Sequence, residues 1–228
     1  ENVAKKFNLS RKAQQEFAIK SHANAAKAQT SKSFHDEITI IKKNDIQVSE
    51  DGCIRPNTSQ EILDNLKLVF DENGTITAGT ASPLTDGAAA TLICEEEYAK
   101  ANKLPILARI KSTAVQGCPP ELMGLGPINA SRKALKRANL TIDDIDVVEL
   151  NEAFASQSIA CIQELNINPD IVNMEGGAIA LGHPLGATGT RITAKAASLM
   201  VKKNKKYALA TQCIGLGQGI ATVLERVE

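Results

Sequence analysis

Apolar and polar positions change period along the chain, and each change marks an expected element. Up to about residue 30 the sequence is polar and alanine-rich, with Ala13, Phe17, Ser21 and Ala25 on one helical stripe. Ser10 stands where an N-cap hydroxyl would accept from first-turn amides, so a helix with a thin apolar face is predicted behind it. From about 36 to 84 no period persists: DEITIIKK and ITAG read as short strands, and Asp51-Gly52, Arg55-Pro56 and Asn73-Gly74 as turns. Such a loop-rich region cannot bury enough surface to stand alone. At Gly87 strand and helix begin to alternate, with AAATLICEE as a buried strand, EEYAKANKL as a helix and ILARIKSTAVQG as a strand.

The alternation continues with a helix entered at Gly126-Pro127, its inner face Ile128, Ala134, Leu135 and Ala138. IDVVEL is the next strand. Asn151-Glu152 opens a helix with Ala155, Ser158, Ile159 and Ile162 inward, DIVN is a short strand, and a helix over 188–200 buries Ile192, Ala196 and Leu199. YALATQC and IATVLERV form a hairpin across IGLGQG. The order predicts an α/β fold, with residues 106–228 as a mixed, mostly parallel, five-stranded sheet flanked by helices. Ligands of such sheets gather outside the carboxyl ends of the strands, where Asn151, His183 and Cys213 fall.

Composition narrows the function classes. Lys plus Arg and Asp plus Glu both number 26, so no long-range field draws the protein to nucleic acid or an anionic membrane. Apolar runs are shorter than a membrane span, and ENVAKKFNLS lacks the apolar core of a secretion signal; the expected location is the cytoplasm. The five cysteines, Cys53, Cys94, Cys118, Cys161 and Cys213, never form C-x-x-C, which argues for reduced thiols without disulfide or zinc. The histidines lack metal-ligand spacing, so no metal is expected, and His22 and His35 read as surface residues. Glu1 falls directly into a helical pattern, as though the chain began inside something larger.

GGAIALGHPLGATG (176–189) surrounds His183 with five glycines. Glycine permits positive φ and close backbone approach, and Pro184 fixes the chain before the helix at 188, whose N-terminus disfavours a charged imidazole. A neutral ring there could donate to a thioester oxygen or receive a thiol proton; a packed, silent histidine fits the local pattern as well. Cys213 precedes a glycine turn whose freed amides can hold an oxyanion, and a thiol of lowered pKa there could be base or nucleophile. On general grounds a buried apolar cysteine is the commoner case. Asn151 by itself reads as an N-cap, and Glu152 as a first-turn charge. GLGQG lacks the strand-to-helix setting of a nucleotide loop.

NEAFA (151–155), GGAIALGHPLGATG (176–189) and CIGLGQG (213–219), in this order, resemble the three C-terminal motifs of the thiolases. ENVAKKFNLSRKAQQEFA, ITAGTASPLTDGAAA (76–90) and MGLGPINASRKAL (123–135) extend the resemblance over essentially the whole chain, which looks nearest to acetoacetyl-CoA thiolases. What the resemblance implies is a reversible Claisen condensation of two acetyl-CoA molecules to acetoacetyl-CoA and CoA, with CoA thioesters as substrates and no separate cofactor. Carried over, Cys213 looks like the acid/base cysteine. His183 would activate the acylated cysteine and donate to one oxyanion hole, Asn151 would hold the water completing that hole, and the Gly215 amide would serve the second. Ser82, Arg55, Leu66, Phe70, Ala78, Met123 and Phe154 match positions around CoA and the acyl pocket. Ile62 stands where the family often has a serine in its adenine-binding loop. NEAF together with Cys213 separates the chain from related ketosynthases and from lipid-carrier-fused thiolases.

One departure stands out: the acylated cysteine of the family, in a segment resembling N-x-x-C-G-S-G, has no counterpart here. The resemblance therefore implies residues 1–84 as the latter half of the loop domain, 85–105 as the last strand and helix of the first catalytic domain, and 106–228 as the second catalytic domain. The expected partner is a missing N-terminal thiolase half or separate chain, with assembly as a dimer or tetramer. The competing reading is a non-catalytic CoA-binding or assembly subunit.

Overall fold

The computed structural model describes residues 1–227. After α1 (Asn2–Lys6), Ser10 caps α2 (Arg11–Thr30), its side chain accepting from the Ala13 amide at 3.1 Å. The buried face of α2 carries Gln14, Gln15, Ala18, Ser21, His22, Ala25 and Ala28. Its small residues let the helix lie close on later segments, and its polar ones must find partners there. His22 is thus buried rather than on the surface, its Nδ1 accepting from the Arg55 amide at 3.1 Å.

DEITIIKK yields only the short β1 (Ile41–Lys43), paired with β2 (Ile46–Val48) in an exposed hairpin. After α3 (Gln60–Asp64) the segment ITAG departs from its expected strand: apart from one bridge, Leu68 to Thr77, it becomes a 3-10 turn over Ala78–Thr80. The Thr77 hydroxyl accepts from Gly79 N and the Thr80 hydroxyl from Thr77 N, so side chains take the amides that a ladder would have used.

AAATLICEE also departs from expectation. It belongs to no strand, and it is exposed, Leu92 at 76% and Ile93 at 72%, with Cys94 beside them. A strand apolar on both faces needs neighbours on both edges, and among the described residues no strand runs alongside it. α4 (Glu96–Ala101) follows as expected.

The sheet contains β3 (Arg109–Gly117), β4 (Val147–Leu150), β5 (Tyr207–Ile214) and β6 (Gln218–Glu225), in the order β3-β6-β5-β4. It is mixed, as expected, but β3 with β6 and β6 with β5 pair antiparallel, and only β4 with β5 parallel. The tight β5–β6 turn imposes the second of these antiparallel pairings, because a two-strand hairpin can only be antiparallel. The fifth expected strand, DIVN, reduces to a 3-10 turn at Pro169–Ile171 and one parallel bridge between Val172 and Val148. Asn173 ends it: with φ at +45°, its side chain accepts from Leu150 N and donates to Leu150 O, replacing the backbone ladder.

α5 (Gly126–Ala138) and α6 (Ala155–Glu164) cover one face, over Ala114, Val148, Leu150, Leu209, Ala221 and Val223. The short α7 (Ala178–Leu181) leads to α8 (Thr188–Lys202), which packs on the other face with Ile192, Ala196, Leu199 and Met200 against Val147, Ala208, Ala210 and Leu224. Gly126 and Gly219 allow α5 to begin in backbone contact with β6. Among the described residues no helix is long and apolar enough to cross a membrane.

Candidate active site

β4 ends at Leu150, and the ladder runs one residue further: Asn151 N donates to Thr211 O at 3.0 Å. α6 starts only at Ala155, with Phe154 at its N-cap position, so Asn151 and Glu152 belong to the connection and not to a helix start. Both are 1% exposed. Asn151 Nδ2 lies 3.3 Å from His183 Nε2, and its Oδ1 is buried without a hydrogen-bond partner.

His183 follows α7 through Gly182 at φ +94°. Its Nδ1 is 2.7 Å from Thr188 Oγ1, and that hydroxyl donates to Pro184 O at 3.0 Å. A hydroxyl has one proton, so Nδ1–H must donate to Thr188; Nε2 then carries the lone pair and accepts from Asn151. Burial, reinforced by the nearby Arg191 cation, holds the imidazole pKa below its ordinary value. The expectation of a neutral ring stands, with burial rather than the helix terminus as its leading cause.

The glycines before it have a specific purpose. Gly176, at φ +83°, passes against Ala25 and the Ser21 carbonyl, and a Cβ on Gly177 would run into the Glu152 carboxyl group. The bare backbone lets the histidine loop cross directly over α2 and the Asn151 connection.

Cys213 sits near the end of β5, opposite Gly219 on β6. Burial pushes its thiol up to about 11, with neighbouring Cys118 adding to the rise and a backbone hydrogen bond opposing it. The glycine turn does not lower the thiol pKa, since burial outweighs what one amide offers. Cys118 joins the same turn, its N–H donating to Gly217 O at 2.8 Å and its sulfur 3.9 and 3.8 Å from the Leu122 and Met123 carbonyls. Gly215 is exposed at the hairpin.

Several of the remaining expected positions come together. Ser82 N and Oγ both donate to Ala153 O, Ala81 bridges Phe154, and the Phe70 and Phe154 rings meet edge to face at 6.1 Å. Leu66 packs beneath Gly79, next to Ala78. Met123 lies instead beside Cys118. Arg55 is exposed and tied to α2 through His22, while Ile62 is half exposed. Glu152, which the sequence marks only as a first-turn charge, and Thr188, which it does not mark, also belong to the site. Adjacency to Asn151 and the five-residue spacing from His183 were the available signals, and neither is decisive without the loop paths.

The family described as "Thiolase, C-terminal domain" matches residues 104–226, and "Thiolase, N-terminal domain" matches residues 1–97. The chain is 52% identical over 235 residues to a 3-ketoacyl-CoA thiolase of Shewanella loihica, covering 99% of this chain and 61% of the relative. It is 50% identical over 236 residues to that of Shewanella denitrificans, covering 100% and 61%. Among solved structures, human mitochondrial 3-ketoacyl-CoA thiolase superposes with TM-score 0.92 at 39% identity, over 100% of this chain and 58% of the other. Bacillus anthracis acetyl-CoA acetyltransferase does so with TM-score 0.95 at 38% identity, over 99% and 58%. The chain thus spans 61% of the length of the curated relatives it matches.

Proposed function

From a chain that belongs to the thiolase family, we propose the downstream part of an acyltransferase that interconverts a 3-ketoacyl-CoA plus CoA with two shorter acyl-CoA thioesters. The acylated cysteine is supplied by polypeptide outside these residues. Formation of acetoacetyl-CoA from two acetyl-CoA is the smallest case of this chemistry, and the names of the relatives favour the broader 3-ketoacyl range. The division at residues 84 and 105 belongs to the same reading.

The observation that carries the proposal is the relay from Asn151 through His183 to Thr188, at 3.3 and 2.7 Å. A neutral imidazole whose Nε2 lone pair is held only by the 3.3 Å contact from Asn151 can turn that acceptor to an incoming nucleophilic thiol and take its proton. Once protonated, the same Nε2–H becomes a donor for the thioester oxygen that turns negative when the enolate forms. The unpartnered Asn151 Oδ1 and its neighbouring Nδ2 suit a bound water beside that oxygen. Cys213, protonated when no substrate is bound, is set to deliver a proton to a departing carbanion in the cleavage direction and to remove one in condensation. The exposed run at 87–94, apolar on both faces, supports docking against further strands.

The test fuses this chain behind the corresponding upstream segment of a 3-ketoacyl-CoA thiolase and follows CoA-dependent cleavage of 3-ketoacyl-CoA substrates of increasing length. The chain alone is expected to be inactive and the fusion active. In the fusion, Cys213→Ala should still form the acyl-enzyme but stop α-proton exchange, whereas His183→Ala should damage both steps, each by ~10²- to 10⁴-fold. Turnover by the isolated chain at ordinary enzyme rates, or a folded but inactive fusion, contradicts the proposal. The latter outcome would favour a non-catalytic CoA-binding or assembly subunit.

A further inference from the structure

We propose that Glu152 is a positioning residue, whose buried carboxylate clamps the Asn151 connection to the His183 loop and thereby sets the distance between those two side chains. The inference rests on the roles given above to Asn151 and His183. Glu152 Oε2 accepts from Ser21 Oγ on α2 at 2.6 Å and from Ile179 N in α7 at 3.1 Å, and Oε1 accepts from Asn173 Nδ2 at 2.8 Å. Ser21 Oγ in turn accepts from Gly177 N at 3.1 Å. One side chain thus joins α2, the end of the fifth-strand segment, and the glycine path into His183. Its own backbone neighbour is Asn151.

The chemistry calls for a carboxylate specifically. Ile179 N is a donor that cannot be reversed. Asn173 cannot flip either, because Leu150 N donates to its Oδ1 and Leu150 O accepts from its Nδ2. The two oxygens of Glu152 therefore face two fixed donors, one each, and an amide in either orientation sets an NH₂ against one of them. A carboxylate taken out of water is costly unless fully hydrogen-bonded, and here three donors compensate it. Burial pushes the carboxyl pKa up while those three bonds oppose the rise. A Cβ on Gly177 would collide with the same group, so the glycine and the carboxylate are matched. An aspartate is one methylene too short to reach both sides.

The test needs no turnover. In the full chain, ¹⁵N NMR of the imidazole should show His183 with the proton on Nδ1. Glu152→Gln should turn this into a mixture of tautomers, and Ser21→Ala, which removes one donor and keeps the carboxylate, should shift it the same way by less. Val223→Ala, a core cavity on the sheet far along the chain, provides the control: it should lower the melting temperature without changing the tautomer. In the active fusion, Glu152→Gln should lower kcat by ~10²-fold with little change in KM, the scale on which a misplaced catalytic group is felt. If the His183 tautomer is unmoved in Glu152→Gln and Ser21→Ala, or if Val223→Ala moves it equally, Glu152 has only a structural role and the inference fails. If the tautomer shifts but wild-type fusion is inactive, the clamp stands and the proposed activity falls.

Discussion

Asn151 and His183 meet nitrogen to nitrogen, Nδ2 to Nε2 at 3.3 Å, although 32 residues separate them in sequence. The contact fixes the proton on the far side of the ring, where Thr188 receives it. Removing the Thr188 hydroxyl as Thr188→Val should free the tautomer and lower the activity of the fused enzyme by ~10-fold or more, the equivalent of one hydrogen bond to a buried polar group. An unchanged rate and an unchanged imidazole spectrum would contradict the assignment. In wild type the His183 titration, followed by NMR, should have its midpoint below the ordinary value of about 6.5.

Cys213 should behave as a buried thiol. With its pKa pushed to about 11, iodoacetamide at neutral pH should label it far more slowly than the exposed Cys94, and the rate should climb as pH rises towards 11. Peptide mass spectrometry across pH 7 to 10.5 measures this. Fast, pH-independent labelling of Cys213 would mean that a thiolate is already present.

Glu149, on the same face of β4 as Val147, is 1% exposed, and its Oε1 has no partner. Burial raises its carboxyl to about 8, against the pull of Arg191 and Lys195. The folded state then holds this proton more tightly than the unfolded chain does. The stability involved is complete below about pH 4.5 and drains away as pH rises towards 8. Glu149→Gln should therefore gain stability over wild type between pH 5 and 9, by several kcal/mol at the upper end. Urea midpoints that run parallel for the two proteins across that range would refute it.

The α5 entry predicts a sharp contrast between two glycines. A Cβ on Gly219 meets the Gly126 backbone, which cannot swing aside, so Gly219→Ala should cost ~1–3 kcal/mol or more. Gly186 has nothing within 4 Å, and Gly186→Ala should fall within ~0.5 kcal/mol of wild type in denaturant unfolding.

Much of this was legible in advance, for physical reasons. β6 and α5 carry clear periods because each is buried on a defined face, while β4 and β5 read as continuous apolar runs because both their faces are covered. The segment at 88–95 carries an equally strong signal for a two-sided strand, but pairing partners are not encoded locally, and here the run is bare. DIVN ends early because a single side chain, Asn173, replaces the ladder, which no hydrophobic pattern records. Asn151, His183 and Cys213 were marked by their places at strand ends and by motif resemblance. Glu152 and Thr188 were not, since their importance comes from partners such as Ser21, 131 residues away.

The position of β6 between β3 and β5 has a consequence for how the protein reaches its native state. β5 and β6 can zip together locally, and β4 can join them across the connection that holds α6, α7 and α8, but Arg109 finds Glu225 only when a sequence separation of 116 has been closed. Closing so long a loop is slow relative to a hairpin. A three-stranded intermediate with the outer edge of β6 open should therefore precede the complete sheet, and that edge is the surface on which stray β-pairing would begin during refolding at high concentration.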